Sequence, residues 1–138
     1  MEWLMIQSPN QTIEGWRRLL EEEIATQMAY YASRVAAGTD TDVLHWSVVG
    51  HQLSNWIAKL NALLADSAAL TALTNHYPTW TQSAVQGVVA SLQRIQSAAL
   101  PFVDRSVPGW TQKRPLADVA DAEKENLKAV LAAEVQRA

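Results

Sequence analysis

The sequence of 138 residues predicts an all-α fold, a single-domain bundle of about four main helices plus one short helix. Two observations support this prediction. Apolar residues recur every three or four positions in several long segments, which places them on one face of an α-helix. No alternating pattern typical of a β-strand extends beyond a few residues. The chain divides into an apolar N-terminal arm (1–8), a helical core (9–100), a connector (101–115) and a C-terminal helix (116–138).

The first helix is predicted to span residues 9–37. Ser8 suits the N-cap, Pro9 suits the first helical position, and Gln11 at the third position can reach back to the cap. Three consecutive glutamates (21–23) are expected on the solvated face of this helix. The opposite, core-facing stripe is predicted to contain Ile13, Trp16, Leu20, Ile24, Met28, Tyr31 and Val35.

The second helix is predicted to begin around residues 39–42, where two Asp residues would interact favourably with the positive, N-terminal end of the helix dipole. Its apolar positions alternate by three and four, which is a heptad stripe. Trp46 and Trp56 lie on that stripe and are therefore expected in the core. The full stripe is Trp46, Val49, Leu53, Trp56, Leu60 and Leu63. This helix is expected to end near Asp66 and Ser67.

A short helix (68–75) is expected next, and Pro78 ends it because the residue before a proline is disfavoured in helical geometry. Thr79 and Gln82 have the spacing of a capping box, which predicts that another helix starts there. That helix is expected to stop or bend at Pro101. Its predicted stripe is Val85, Val88, Leu92, Ile95 and Ala99.

The last helix is predicted from about Leu116 to near the C-terminus. One face is expected to be exposed to solvent, the wet face, and it consists of Asp118, Asp121, Lys124, Glu125 and Lys128. Its apolar set is thinner than those of the other helices and is interrupted by Glu123. The set consists of Leu116, Val119, Leu127, Val130, Leu131 and Val135.

Charged residues are nearly absent from the middle of the chain. Between Val43 and Val103, sixty-one positions contain only Lys59, Asp66 and Arg94. Charged side chains normally face solvent, so this stretch is predicted to have little ordinary surface and to touch other protein on more than one side. The net charge of −3 gives no indication of a strongly basic nucleic-acid binder.

The chemistry-bearing residues do not form a recognisable site. His45 and His51 are six positions apart and so point in different directions from a helix. No Glu-x-x-His pair is present, nor a Gly-x-Ser-x-Gly elbow, and there is no Cys. We therefore expect no catalytic residue, no metal site and no cofactor. One alternative stays open, an enzyme or accessory subunit in which His45, His51 or His76 acts in a composite site.

Six tryptophans are the remaining unusual feature of the composition. Several of them lie outside the predicted core stripes, in the arm, at a helix start and in the connector. Tryptophan is enriched at interface hot spots because it buries a large apolar area and its indole N–H can donate a hydrogen bond. The predicted interface residues are Trp3, Leu4, Met5, Ile6, Trp80 and Trp110.

These features favour a non-enzymatic structural or assembly protein that forms a homo-oligomer, a larger complex, or both. A phage virion head–tail adaptor or connector fits this character. The alternatives are a small helical ligand-binding or regulatory domain, with Trp46 and Trp56 lining a pocket, and a chaperone or inhibitor specific for one partner. Binding of nucleic acid is expected only if several subunits form a ring, in which the basic pair 17–18 or 113–114 is repeated and can contact phosphates. Neither a signal peptide nor a membrane span is indicated, so we expect an intracellular soluble or virion-associated protein.

Deletion of residues 1–6 is expected to weaken assembly and to leave the helix content nearly unchanged. The arm has no apolar helical stripe of its own, so its apolar residues are expected to be buried against a neighbouring subunit. The native mass by light scattering and the far-ultraviolet circular dichroism measure the two effects. Loss of helicity on deletion would instead place the arm in the subunit's own core.

Overall fold

The computed structural model describes residues 12–37, 46–103, 106 and 118–137. Over these residues the chain forms five helices and no β-strand, which confirms the predicted all-α bundle. Helix α1 (13–37) is continuous and has an α-helical part, Ile13–Arg18, a π-helical turn, Leu19–Glu23, and a second α-helical part, Ile24–Ala37. The others are α2 (Trp46–Ala65), α3 (Ser67–His76), α4 (Gln82–Ala99), extended by a 3₁₀ turn (Leu100–Phe102), and α5 (Asp121–Arg137).

The start of α1 differs from the prediction of a helix from residue 9. Thr12 has an extended backbone (φ −74°, ψ 163°), and its hydroxyl accepts a hydrogen bond from the Gly15 N–H at 3.0 Å. A short hydroxyl side chain that accepts from the third helical residue is a normal N-cap, so α1 begins at Ile13. Ser8 and Pro9, the predicted cap and first residue, lie outside the described residues.

The π-helical turn of α1 was not predicted. The Ile24 N–H donates to the carbonyl of Leu19, five residues earlier, so this turn holds one residue more than an α-helical turn. The extra residue allows Leu19 and Leu20 both to be buried, although only Leu20 was expected on the stripe. The three glutamates (21–23) are exposed on the outside of the same turn.

The helices close a circuit around one core. The second part of α1 packs on α5, α5 packs on α4, α4 packs on α2, α2 contacts α3, and α3 returns to the first part of α1. The predicted stripe of α2 is buried from Val49 to Leu63, and that of α1 is buried from Trp16 to Val35. The side chain of Trp46 lies outside the described set.

One core position of α4 was wrongly predicted. Val89 is buried, whereas Val88 is only half-buried. Val89 is four residues after Val85 and three before Leu92, so it continues the core stripe, and Val88 faces the space between α1 and α5.

The predicted capping box at Thr79 is also wrong. Residues 77–80 form a turn in which the Trp80 N–H donates to the Tyr77 carbonyl at 2.8 Å. Thr81 is the actual N-cap of α4 and accepts from the Ala84 N–H at 3.2 Å. The helix therefore begins two residues later than the spacing of polar residues indicated.

Helix α5 begins at Asp121, five residues after the predicted start at Leu116, which lies outside the described residues. The Glu123 carboxylate reaches back and accepts from the Ala120 N–H at 3.4 Å, which is one half of a capping box. The wet face of α5 is present as predicted. Its unexpected feature is Glu134, an acidic residue that is buried.

The position of the α4 cap can be tested by two matched substitutions. Thr81→Ala is expected to lower the free energy of unfolding by about 1 kcal/mol, because the Ala84 N–H loses its acceptor. Thr79→Ala is expected to change it by less than about 0.5 kcal/mol, as an exposed surface substitution does. Urea denaturation of both variants measures the difference, and equal losses would contradict the assignment.

Candidate functional site

The predicted interface residues fall into two groups. Trp3, Leu4, Met5, Ile6 and Trp110 lie outside the described residues. Trp80 is half-buried, packs against the core, and donates its indole N–H to Glu21 Oε2 at 2.6 Å. Trp80 therefore makes a contact within its own subunit, and it also lines the groove described below.

Carboxylates of α1 hold the polar atoms of aromatic residues from the neighbouring helices. The Trp56 indole donates to Glu23 at 2.8 Å, and the Tyr77 hydroxyl donates to Glu14 at 2.7 Å. Glutamates 21–23 are thus exposed as predicted, but two of them also tie α1 to other elements. Buried Trp and Tyr usually need an acceptor, which is the signal that would have suggested these pairs. The buried Trp16 Nε1 has no acceptor among the described residues.

Arg17 sits at the centre of a surface ion network on α1. Its guanidinium bonds both carboxylate oxygens of Glu14 at 3.1 Å, Glu22 at 2.9 Å and Glu21 at 3.3 Å. The hydrogen bonds from Arg17 and then Tyr77 lower the pKa of Glu14 to about 2. Since three acids surround Arg17, the basic pair 17–18 does not form a basic patch.

An apolar groove of about 1060 Å³ lies between α1, α4 and α5. Its floor and walls are aliphatic, and Trp80 stands at one end. Val88, the residue displaced from the predicted core stripe, is one of the wall residues. The main apolar lining is Leu20, Ile24, Met28, Val88, Leu92, Ile95 and Val135.

The other end of the groove is polar and is organised by Glu134 of α5, whose side chain is only 4% exposed. Arg94 binds it with two hydrogen bonds, of 2.8 and 2.9 Å, and the Ser91 hydroxyl donates to it at 2.7 Å. Arg137 adds an ion pair at 3.2 Å. The bonds from Arg94 and then Ser91 lower the pKa of Glu134 to about 2, although burial opposes this shift. Two cations therefore share one anion.

The charge-poor middle of the chain has a substantial solvent-facing surface. Where exposure is described between Trp46 and Val103, Arg94 is the only exposed residue that is Asp, Glu, Lys or Arg. The stretch thus has more ordinary surface than we expected, but this surface is almost free of charged residues. Its most regular part, which we name the α2 outer face, has spacings of four and three and consists of His51, Asn55, Ala58, Ala62 and Ala65.

The histidines proposed for a composite site are separated among the elements. His51 is exposed on the α2 outer face, His76 is the last residue of α3 and is exposed, and His45 lies outside the described residues. Among the residues with described positions, no group of three or more His, Cys, Asp or Glu could hold a metal ion. Trp56 is buried as expected for a core residue, and it is not among the groove residues, whereas the alternative of a ligand pocket would require it to be.

Comparison of the chain with protein-family models, with curated proteins and with solved structures gave no match. Within the parts of the chain that are described, no helix is long and apolar enough to cross a membrane.

The Glu134 cluster predicts a specific pH dependence of stability. The pKa of Glu134 lies below its ordinary value of 4.5, at about 2, so its ionised form stabilises the fold above about pH 4.5. That contribution is lost as the pH falls towards 2. We expect Glu134→Gln to lower the free energy of unfolding at pH 7 by about 2 kcal/mol, less than for a fully buried pair because Arg94 is half exposed.

The measurement is urea denaturation at pH 7 and at intervals from pH 5 to 2. Glu134→Gln should flatten the pH dependence in this range, and the remaining slope is expected to come from groups such as Glu14. Glu125→Gln is the matched control, because Glu125 is exposed and bonds Lys128 on the same helix. An unchanged slope in Glu134→Gln would contradict the assigned role.

Proposed function

We propose that this chain is a non-enzymatic structural subunit that associates with copies of itself, and through them with a larger protein complex. The observation that carries the proposal is the exposed surface of α2, α3 and α4, on which Arg94 is the only exposed Asp, Glu, Lys or Arg among the described residues. Interface cores are depleted of charged residues, since each buried charge costs desolvation energy. A surface spread over three helices with so few charges is unusual for a domain that meets only water.

The α2 outer face supplies the geometry for such a contact. Its five residues alternate by four and three, which is the spacing of a seam between two helices. Ala58, Ala62 and Ala65 are small, so a partner helix can approach closely, and Asn55 can exchange hydrogen bonds with a partner without the cost of burying a charge. The buried stripe of α2 is on the other side, so the two sides serve different contacts.

A second property supports protein contact over nucleic acid. The one described basic pair, Arg17 and Arg18, lies among Glu14, Glu21 and Glu22, which leaves no net positive charge there. The pair 113–114 lies outside the described residues. A nucleic-acid role would therefore depend on a ring that repeats residues 113–114.

The more specific form of the proposal is a phage virion head–tail adaptor or connector component. It is supported by the small all-α subunit and by the uncharged outer face, both of which suit repeated helix-to-helix contacts in a ring. A subunit of this kind is expected to form an oligomer of fixed size.

The test introduces charge into the α2 outer face without weakening the helix. The double substitution Ala58→Glu with Ala62→Lys places an acid four residues before a base, an arrangement that favours an isolated helix slightly. Both positions are exposed in the subunit, so the free energy of unfolding is expected to change by less than about 0.5 kcal/mol. The oligomer mass by light scattering on a sizing column is expected to fall to that of the monomer.

The matched control is Ala129→Glu with Ala133→Lys, the same pair at exposed alanines of α5. This control should keep the mass of the unmodified protein. A monomeric mass for the unmodified chain at all concentrations, or an equal effect of both double variants, would contradict association through the α2 outer face.

A further inference from the structure

The groove between α1, α4 and α5 has two ends of opposite character. Near Trp80 the charged residue is Glu21, which is already bonded to Trp80 and Arg17. At the other end, Arg94 and Arg137 flank the buried Glu134. The groove walls between these ends are aliphatic. A ligand with an anionic head and an apolar tail matches the arginine end and the aliphatic walls, and it needs no group for Glu21, which already has its partners.

We propose that this groove binds a single-chain anionic amphiphile of the long-chain carboxylate class. The carboxylate lies against Arg94 and Arg137, and the tail lies along Leu20, Ile24 and Met28 of α1 and the facing residues of α4. The site is separate from the α2 outer face, because α2 contributes no described residue to the groove.

Charge complementarity argues for an anion. Glu134 neutralises one of the two arginines, so the cluster keeps a net charge of +1. Arg94 engages Glu134 through Nε and Nη2, and Arg137 engages it through Nε, which leaves further N–H donors on both guanidinium groups. The side chains of Arg94 and Arg137 are 46% and 63% exposed, so a ligand can reach them. A planar guanidinium matches a carboxylate with two parallel hydrogen bonds.

Glu134 explains why the arginines are suited to binding. An exposed arginine loses side-chain freedom when it binds a ligand, and this loss weakens binding. Here the buried carboxylate already fixes Arg94 with two hydrogen bonds, and Ser91 holds the same carboxylate in place. The head-group site is thus arranged before a ligand arrives.

The dimensions of the groove select the tail. Ala84 and Arg94 both line it, and ten residues of α4 separate them, which is about 15 Å of helix. A twelve-carbon chain such as that of dodecanoate matches this length. Apolar walls contributed by Ile24, Met28 and Leu92 remove such a chain from water, and Met28 can adapt its shape to it.

Gly87 provides a way to close the groove without disturbing the fold. It is exposed, it lines the groove, and a Cβ atom placed there meets no other atom within 4 Å. A leucine at this position therefore fits the helix and extends into open space. Replacing a glycine inside a helix also favours the helical state, so the variants are expected to be at least as stable as the original chain.

The experiment is isothermal titration of the full chain with dodecanoate below its micelle concentration. We expect one ligand per chain. Octanoate should bind at least tenfold more weakly, because its chain is four methylenes shorter and buries less apolar area in the groove. Dodecanol, which has no charge, and the variant Arg137→Gln with dodecanoate should each bind about tenfold more weakly. Gly87→Leu should abolish binding, and its matched control Gly87→Ala should keep it.

Several results would overturn the proposal. Absence of dodecanoate binding is one. Equal affinity for dodecanol, or binding unaffected by Gly87→Leu, would show adsorption to apolar surface in general. A change of native mass in Gly87→Leu, without dodecanoate binding to the original chain, would assign the groove to a protein partner. The Ala58→Glu, Ala62→Lys variant separates the two proposals, since it should keep its affinity for dodecanoate when its mass changes.

Discussion

The burial of the heptad stripe of α2 is the constraint on which the rest of the structure depends. Leu53 and Leu60 are 0% exposed, and Trp56 is 1% exposed. A helix with such a stripe must be covered along its whole length. Helix α4 packs against it, α3 contacts it, and the Trp56 indole bonds Glu23 of α1. The placement of α4 and α3 beside α2 follows from the need to cover this stripe.

The π-helical turn of α1 adapts one long helix to several partners. It adds a residue between the two α-helical parts, so Leu19 and Leu20 both enter the core and glutamates 21–23 turn outward. From that position Glu21 and Glu23 accept the indole N–H groups of Trp80 and Trp56. The carboxylates thus provide acceptors for two indole N–H groups, which lowers the cost of removing these groups from water.

Charge is distributed unevenly over the described surface. Helices α1 and α5 carry nearly all of the ion pairs, including the network of Arg17 and the cluster at Glu134. Apart from Arg94, the exposed residues of helices α2, α3 and α4 are mostly small or uncharged polar residues. The two proposals follow this distribution: the α2 outer face suits contact with protein, and the end of the groove at Arg94 and Arg137 suits an anionic ligand.

The sequence by itself determined the all-α class, the core stripes of α1 and α2, and the short helix α3, because periodic burial is a local property that repeats along the chain. The starts of α1, α4 and α5 were predicted less well, since several nearby polar residues could act as caps and only the surrounding turns select among them. The tertiary structure alone decided the groove and the Glu134 cluster. Arg94 and Glu134 are forty residues apart, and nothing in the spacing of either helix shows that α4 and α5 bring them together.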